Sequence, residues 1–144
     1  MMQLRTRWMV AGLMATGLAL SGCADKSGSD ESKKGPATLV PIKGSDVQQV
    51  VLTDRAVERL DIQLVPIGDE AGSMVIPYSS VVYDSSGATW AYTSPKPLTY
   101  ERKPITVTNI AGDKAFLSAG PERGTQVVTV GTAELFGVEQ EIGY

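Results

Sequence analysis

Along the chain two hydrophobic patterns alternate with breaks. Val47 to Leu52 is a short β-branched apolar run, a predicted strand. Thr53 then offers a capping oxygen, Asp54 puts negative charge in a first helical turn, and Leu52, Ala56 and Leu60 recur at a spacing of four. That spacing predicts a two-turn helix through Leu60 with one buried stripe. Ile62 and Leu64 alternate with polar residues as a half-buried strand would, and Pro66 confines that strand to an edge or a bulge. Beyond it β signals follow one another: Met74 to Ile76, then a hairpin from Val81 to Thr93 around the turn Asp84 to Gly87. Ser94 to Pro97 is expected to break the chain. Leu98 to Lys103 and Ile105 to Ile110 alternate, Ala111 to Lys114 turns, and Ala115 to Ser118 and Thr125 to Val130 read as strands. Ala133 to Tyr144 is expected to hold one helical turn and then a tail. Strands at this spacing, punctuated by Gly and Pro, predict a mostly β fold: a small antiparallel β-barrel or sandwich with one short helix.

The N-terminal end follows a different rule. Arg5 and Arg7 precede an uncharged run from Trp8 to Leu20. Thirteen residues rise roughly 20 Å as a helix, short of the roughly 30 Å hydrocarbon core, and a basic segment followed by a short apolar one reads as a signal peptide. Leu20-Ser21-Gly22-Cys23 closes the run and contains the single Cys. Ala24 to Thr38 has no aromatic or large aliphatic residue and reads as a flexible tether with a reach of roughly 20 Å. The expected organisation is therefore a signal peptide over 1–22, Cys23 and a linker over 23–38, and a folded domain over 39–144.

Composition narrows the chemistry. With no His there is no imidazole base and no His metal site, and one Cys allows neither an internal disulfide nor a CxxC motif. Loss of Arg5 and Arg7 with a signal would leave eleven bases against sixteen acids. That acidic balance argues against a nucleic-acid partner. No cofactor and no metal are expected, and no carboxylate motif or glycine-rich phosphate loop points to an enzyme. Trp90, Tyr92 and Tyr100 fall on predicted strands, where they serve either as an aromatic platform for a ligand or partner or as core and rim packing. Arg102, with Lys103 beside it, is either a partner contact or an edge-strand charge.

Two resemblances add to this reading. Leu20-Ser21-Gly22-Cys23 resembles the lipobox of bacterial lipoproteins, in which the signal is cleaved before the Cys and its thiol receives a diacylglyceryl group. This implies a membrane anchor at Cys23 and a place in the cell envelope on the extracytoplasmic side. VIPYSSVVY ending at Tyr83, then DSSGATWAY, Tyr100 to Val107 (YERKPITV), Gly112-Asp113 and Ser118 to Gly131 (SAGPERGTQVVTVG) resemble, in order, the membrane-proximal domain of periplasmic adaptor proteins, also called membrane fusion proteins. Ala133 to Glu139 resembles the end of that domain, and Val51 to Ile62 is similar to the segment that opens the adaptor β-barrel. Adaptors of this family link inner-membrane pumps to outer-membrane channels in efflux and secretion. The chain departs from the family in its length: the short stretch from Ile62 to Met74 leaves no room for a lipoyl-like domain and α-helical hairpin. Glu122-Arg123-Gly124-Thr125 also stands where the family has Pro-Gly-Asp. The resemblance implies a lipid-anchored, pump-facing β module that contacts a transporter or other envelope protein. A free-standing envelope lipoprotein that binds a small ligand or peptide is the alternative.

Overall fold

The computed structural model describes residues 35–141. The apolar run and Leu20, Ser21, Gly22 and Cys23 lie outside the described residues. From Gly35 onward the chain forms two antiparallel sheets and two helices. The larger sheet takes in β1 (Ala37–Pro41), β2 (Gln48–Leu52), β3 (Gln63–Pro66), β6 (Val82–Tyr83), β7 (Thr89–Lys96), β8 (Thr99–Pro104) and β11 (Gln126–Val130). Its order is β1-β2-β8-β7-β11-β3, with β6 paired to β7 at one side. The smaller sheet has the order β4-β5-β10-β9, from β4 (Gly68–Glu70), β5 (Ser73–Pro77), β9 (Thr106–Ala111) and β10 (Lys114–Ala119). The sheets are not closed into a barrel. Of the two expected β architectures the sandwich is the one formed.

Side-chain alternation along β7 gives the large sheet two cores. Tyr92 joins Val50, Leu52, Tyr100 and Val128 on one face, where they meet Ala56 of helix α1 (Asp54–Leu60) and Leu135 of helix α2 (Thr132–Glu141). Ala91 points the other way and joins Val127, Ile76, Ala115, Leu117 and Ile105 in a second core between the two sheets. Successive strand residues point to opposite faces, so neighbours on one strand serve different layers.

Local chemistry explains most elements. Thr53 is extended, and its Oγ1 accepts from the Ala56 amide at 3.2 Å, so α1 starts where the cap permits. It ends at Asp61, which adopts the left-handed conformation and donates its N–H to the Glu58 carbonyl. Asp84 closes the β6–β7 hairpin by accepting from the amides of Ser86 and Ala88. Gly112, at a φ of 61°, makes the tight β9–β10 turn.

Four differences from the sequence expectations have physical causes. β1 begins at Ala37, inside the stretch expected as tether, because Ala37 to Pro41 pairs along the whole of β2. Strand β7 continues to Lys96 instead of breaking at Ser94, since Pro95 sits where the β7–β8 register shifts and no ladder amide is needed. Leu64 is exposed, and Val65 and Ile67 turn inward in its place. Among the described residues there are two α-helices, not one: α2 runs for 10 residues where a single turn and a tail were expected.

The sheet edges are blunted in ways that discourage end-to-end pairing. β1 lies between Pro36 and Pro41, β3 ends at Pro66, and β4 is three residues long with Asp69 and Glu70. Thr108 is the extra residue of a bulge in β9, and its hydroxyl bonds the Phe116 carbonyl at 3.1 Å.

Gly131 leads into α2 at a φ of 88°, and a Cβ there would run into Ile62 Cδ1. Gly112 has open space around it. Gly131→Ala combines left-handed strain with overpacking and is expected to cost about 3 kcal/mol, against about 1 kcal/mol for Gly112→Ala. Chemical denaturation of the two variants separates these values.

Candidate functional site

The four strand residues singled out in the sequence lie together, on the helix-covered face of the large sheet, but as part of the core. Tyr92 is fully buried and Tyr100 nearly so. Of the two roles the sequence left open for them, these two positions take core packing rather than a contact surface. Burial pushes both phenols above their ordinary range, and for Tyr92 a hydrogen bond to Glu139 adds to the effect. Trp90 is half-buried, and its indole N–H donates to Asp84 Oδ2 at 2.9 Å. The guanidinium carbon of Arg102 stands 4.5 Å from the centre of the Trp90 ring.

What brings these residues together is Glu139. This α2 residue reaches the sheet, where the Tyr92 hydroxyl donates to Oε2 at 2.5 Å and Arg102 Nε donates to Oε1 at 2.9 Å. The backbone amide of Gln48 donates to Oε1 at 3.4 Å. The Glu139 and Arg102 side chains are 3% and 12% exposed, so the pair is a buried one. Phe136, one turn before Glu139, flanks the same guanidinium at 5.8 Å. Arg102 alternates with Tyr100 along β8, and that alternation places it on the core face. A positive charge on a core face requires a buried acceptor, and that requirement is the sequence signal for Glu139. Its location in α2 carries no such signal, because the stretch after Gly131 reads as a tail.

On the opposite face of β8 lies a second engaged carboxylate. Glu101 is 8% exposed and accepts from Gln49 Nε2 at 2.9 Å while forming an ion pair with Lys103. Burial raises its pKa, and the bonds from Lys103 and Gln49 more than offset this, leaving it below the ordinary value. Next to it, Thr93, Pro95, Lys103, Pro104, Pro121 and Glu122 line a cleft of about 440 Å³. Its walls are β7, β8 and the β10–β11 loop.

These carboxylates do structural work. Glu139, Glu101 and Asp84 each accept hydrogen bonds or ion pairs from donors of this chain. Among the described residues no group of three or more His, Cys, Asp or Glu is placed to hold a metal ion. Among the same residues no helix is long and apolar enough to cross a membrane. The most exposed aromatic pair is one the sequence reading did not select: Tyr78 and Tyr83, and the neighbouring Tyr78 phenol helps to push that of Tyr83 above its ordinary value. No protein family, curated protein or solved structure compared with the chain matches it.

Two outcomes follow from this geometry. Glu139→Ala strands the Arg102 charge in the core and is expected to cost about 3–5 kcal/mol, whereas Tyr92→Phe, which loses one hydrogen bond, is expected to cost about 1–3 kcal/mol. Urea denaturation followed by circular dichroism measures both. Asp84 is held at about 2, below its ordinary 3.8, by hydrogen bonds first from Ser86 and then from Trp90. Its contribution is complete above pH ~4 and fades as pH falls through about 2. The indole N–H resonance of Trp90 should titrate with a midpoint near 2, and Asp84→Asn should abolish that titration.

Proposed function

We propose that the chain is a lipid-anchored envelope protein that serves as an accessory or truncated periplasmic adaptor of a membrane transporter, acting through protein contacts. The observation that carries this reading is the placement of the adaptor-like segments. VIPYSSVVY, DSSGATWAY, YERKPITV, Gly112-Asp113 and SAGPERGTQVVTVG fall in that order between β5 and β11, separated by residues 93–99, 108–111 and 114–117, within one two-sheet unit. The Val51 to Ile62 segment takes in the end of β2, in the larger sheet, and α1, which packs against that sheet. Between Ile62 and Met74, where an adaptor carries its lipoyl-like domain and hairpin, this chain has only β3, β4 and the start of β5.

Such a unit has the pump-facing module of an adaptor without the part that reaches a channel, so it works beside a second, hairpin-bearing protein or on the pump alone. The lipobox supports anchoring at Cys23. Two or three acyl chains there hold a protein on a membrane stably, whereas one alone does so only marginally.

The second reading is an envelope lipoprotein that binds a small ligand or peptide, and the observation favouring it is the 440 Å³ cleft beside Glu101. In that case the ligand would approach Pro95 and Pro121, not Trp90 and Tyr92, whose surroundings α2 and Arg102 already fill.

Crosslinking in envelope membranes followed by mass spectrometry is expected to recover a transporter subunit, and repeated recovery of none would overturn the adaptor reading. Cys23→Ala is expected to move the protein from the membrane to the soluble fraction and to abolish incorporation of labelled fatty acid. A wild-type chain that takes up no label rejects the anchor.

A further inference from the structure

The cleft between the large sheet and the β10–β11 loop is rich in acceptors. Three of its lining residues are prolines: Pro95 on β7, Pro104 at the end of β8 and Pro121 in the loop. A proline supplies a carbonyl but no N–H, so these walls offer acceptors and no backbone donor. Donors from the other walls are largely engaged. The Lys103 ammonium is ion-paired with Glu101, and the Thr93 hydroxyl donates to the Glu101 carbonyl at 3.0 Å. The Thr125 amide donates to the Glu122 carbonyl at 3.1 Å, while its hydroxyl can serve as donor or acceptor.

One lining charge has no match. Glu122 is exposed and has no ion-pair partner among the described residues. The adjacent Arg123 is committed elsewhere: its Nε donates to Asp69 Oδ2 at 2.6 Å and its Nη2 to the Gly72 carbonyl at 2.9 Å. Lys103 and Glu101 cancel each other, so the cleft keeps the charge of one carboxylate. The loop that carries this carboxylate is also held in place. The Gly124 amide donates to the Ile67 carbonyl, and the Ile67 amide to the Thr125 carbonyl, both at 2.9 Å. A preformed wall of this kind loses little freedom when a ligand arrives. The volume of about 440 Å³ falls within the roughly 300–1,000 Å³ of small-molecule sites.

We infer that this cleft binds an organic cation, a primary or secondary ammonium on a compact apolar body, with the ammonium on Glu122 and the body between the prolines. The inference rests on the second reading above, in which the cleft holds a ligand, and adds the chemical class of that ligand. An ammonium brings both the N–H donors that the proline walls lack and the positive charge that Glu122 lacks. An anionic ligand meets a carboxylate of its own sign. A neutral apolar one gains the walls but leaves the charge unmatched. The ion pair formed is an exposed one, so discrimination by charge is severalfold rather than thousandfold.

Titration of the full chain in detergent with benzylamine, benzyl alcohol and benzoate, followed on its amide resonances, tests this. The three probes share one ring and differ in the head group. Benzylamine is expected to shift the amides of Thr93, Gly120 and Thr125 with a dissociation constant about fivefold below that of benzyl alcohol, and benzoate to bind weakest. Glu122→Gln should bring benzylamine to within about twofold of benzyl alcohol, and Glu134→Gln, on α2, should change nothing. Both positions are exposed, and circular dichroism verifies folding. Benzyl alcohol that binds as tightly as benzylamine, or benzylamine indifferent to Glu122→Gln, overturns the inference while leaving the cleft a ligand site of other chemistry. If none of the three shifts these amides, the inference falls, and the cleft no longer supports the second reading.

Discussion

The Glu139 carboxylate is the point on which the helical layer depends. Bringing a carboxylate out of water costs several kcal/mol, recovered only where donors of good geometry wait for it. Here they come from two neighbouring strands: the Tyr92 hydroxyl on β7 and the Arg102 guanidinium on β8. The arrangement fixes more than a pair of residues. It sets the rotation of α2, because Leu135 four residues earlier must then enter the apolar core. It also sets the rotamer of Arg102, which lies against Trp90, whose indole in turn is bonded to the Asp84 turn. One buried charge thus links the C-terminal helix to the hairpin that begins fifty residues before it.

The large sheet is consequently asymmetric in its chemistry. Its helix-covered face holds aromatic rings and a charge that must be matched with precision. The opposite face is apolar under the small sheet and turns to Thr, Gln and Glu beyond it. Alternation along β8 places Tyr100 and Arg102 on one side and Thr99, Glu101 and Lys103 on the other. Each side resolves its own buried carboxylate with donors from adjacent strands.

Features set by neighbours in sequence were legible before any coordinates. Thr53 and the Leu52–Ala56–Leu60 spacing placed α1, and Asp84 to Gly87 placed the hairpin turn, since caps and turns depend on a few adjacent groups. Pro66 correctly marked an edge strand. Features set by distant partners were not legible. Ala37 to Pro41 contains nothing that distinguishes a strand from a linker until β2 lies beside it. Gly137 interrupts the apolar pattern of α2, whose length follows from where Glu139 must reach. Tyr92 and Tyr100 could be assigned to strands, but which face those strands turned inward was decided by the two helices. Arg102 was noticed for its charge, while its partner, 37 residues later, left no local trace.

Because β7 supplies alternate side chains to both cores, neither layer can melt by itself. Detaching the small sheet would expose Ala91, and lifting α2 would expose Tyr92, with a single backbone between them. Unfolding of the 35–141 unit should therefore be all-or-none, with the slowest amide exchange along β7 and its neighbours. A unit built in this way resists partial opening under proteolytic attack, and its weak points are confined to the periphery, at the short strands β4 and β6.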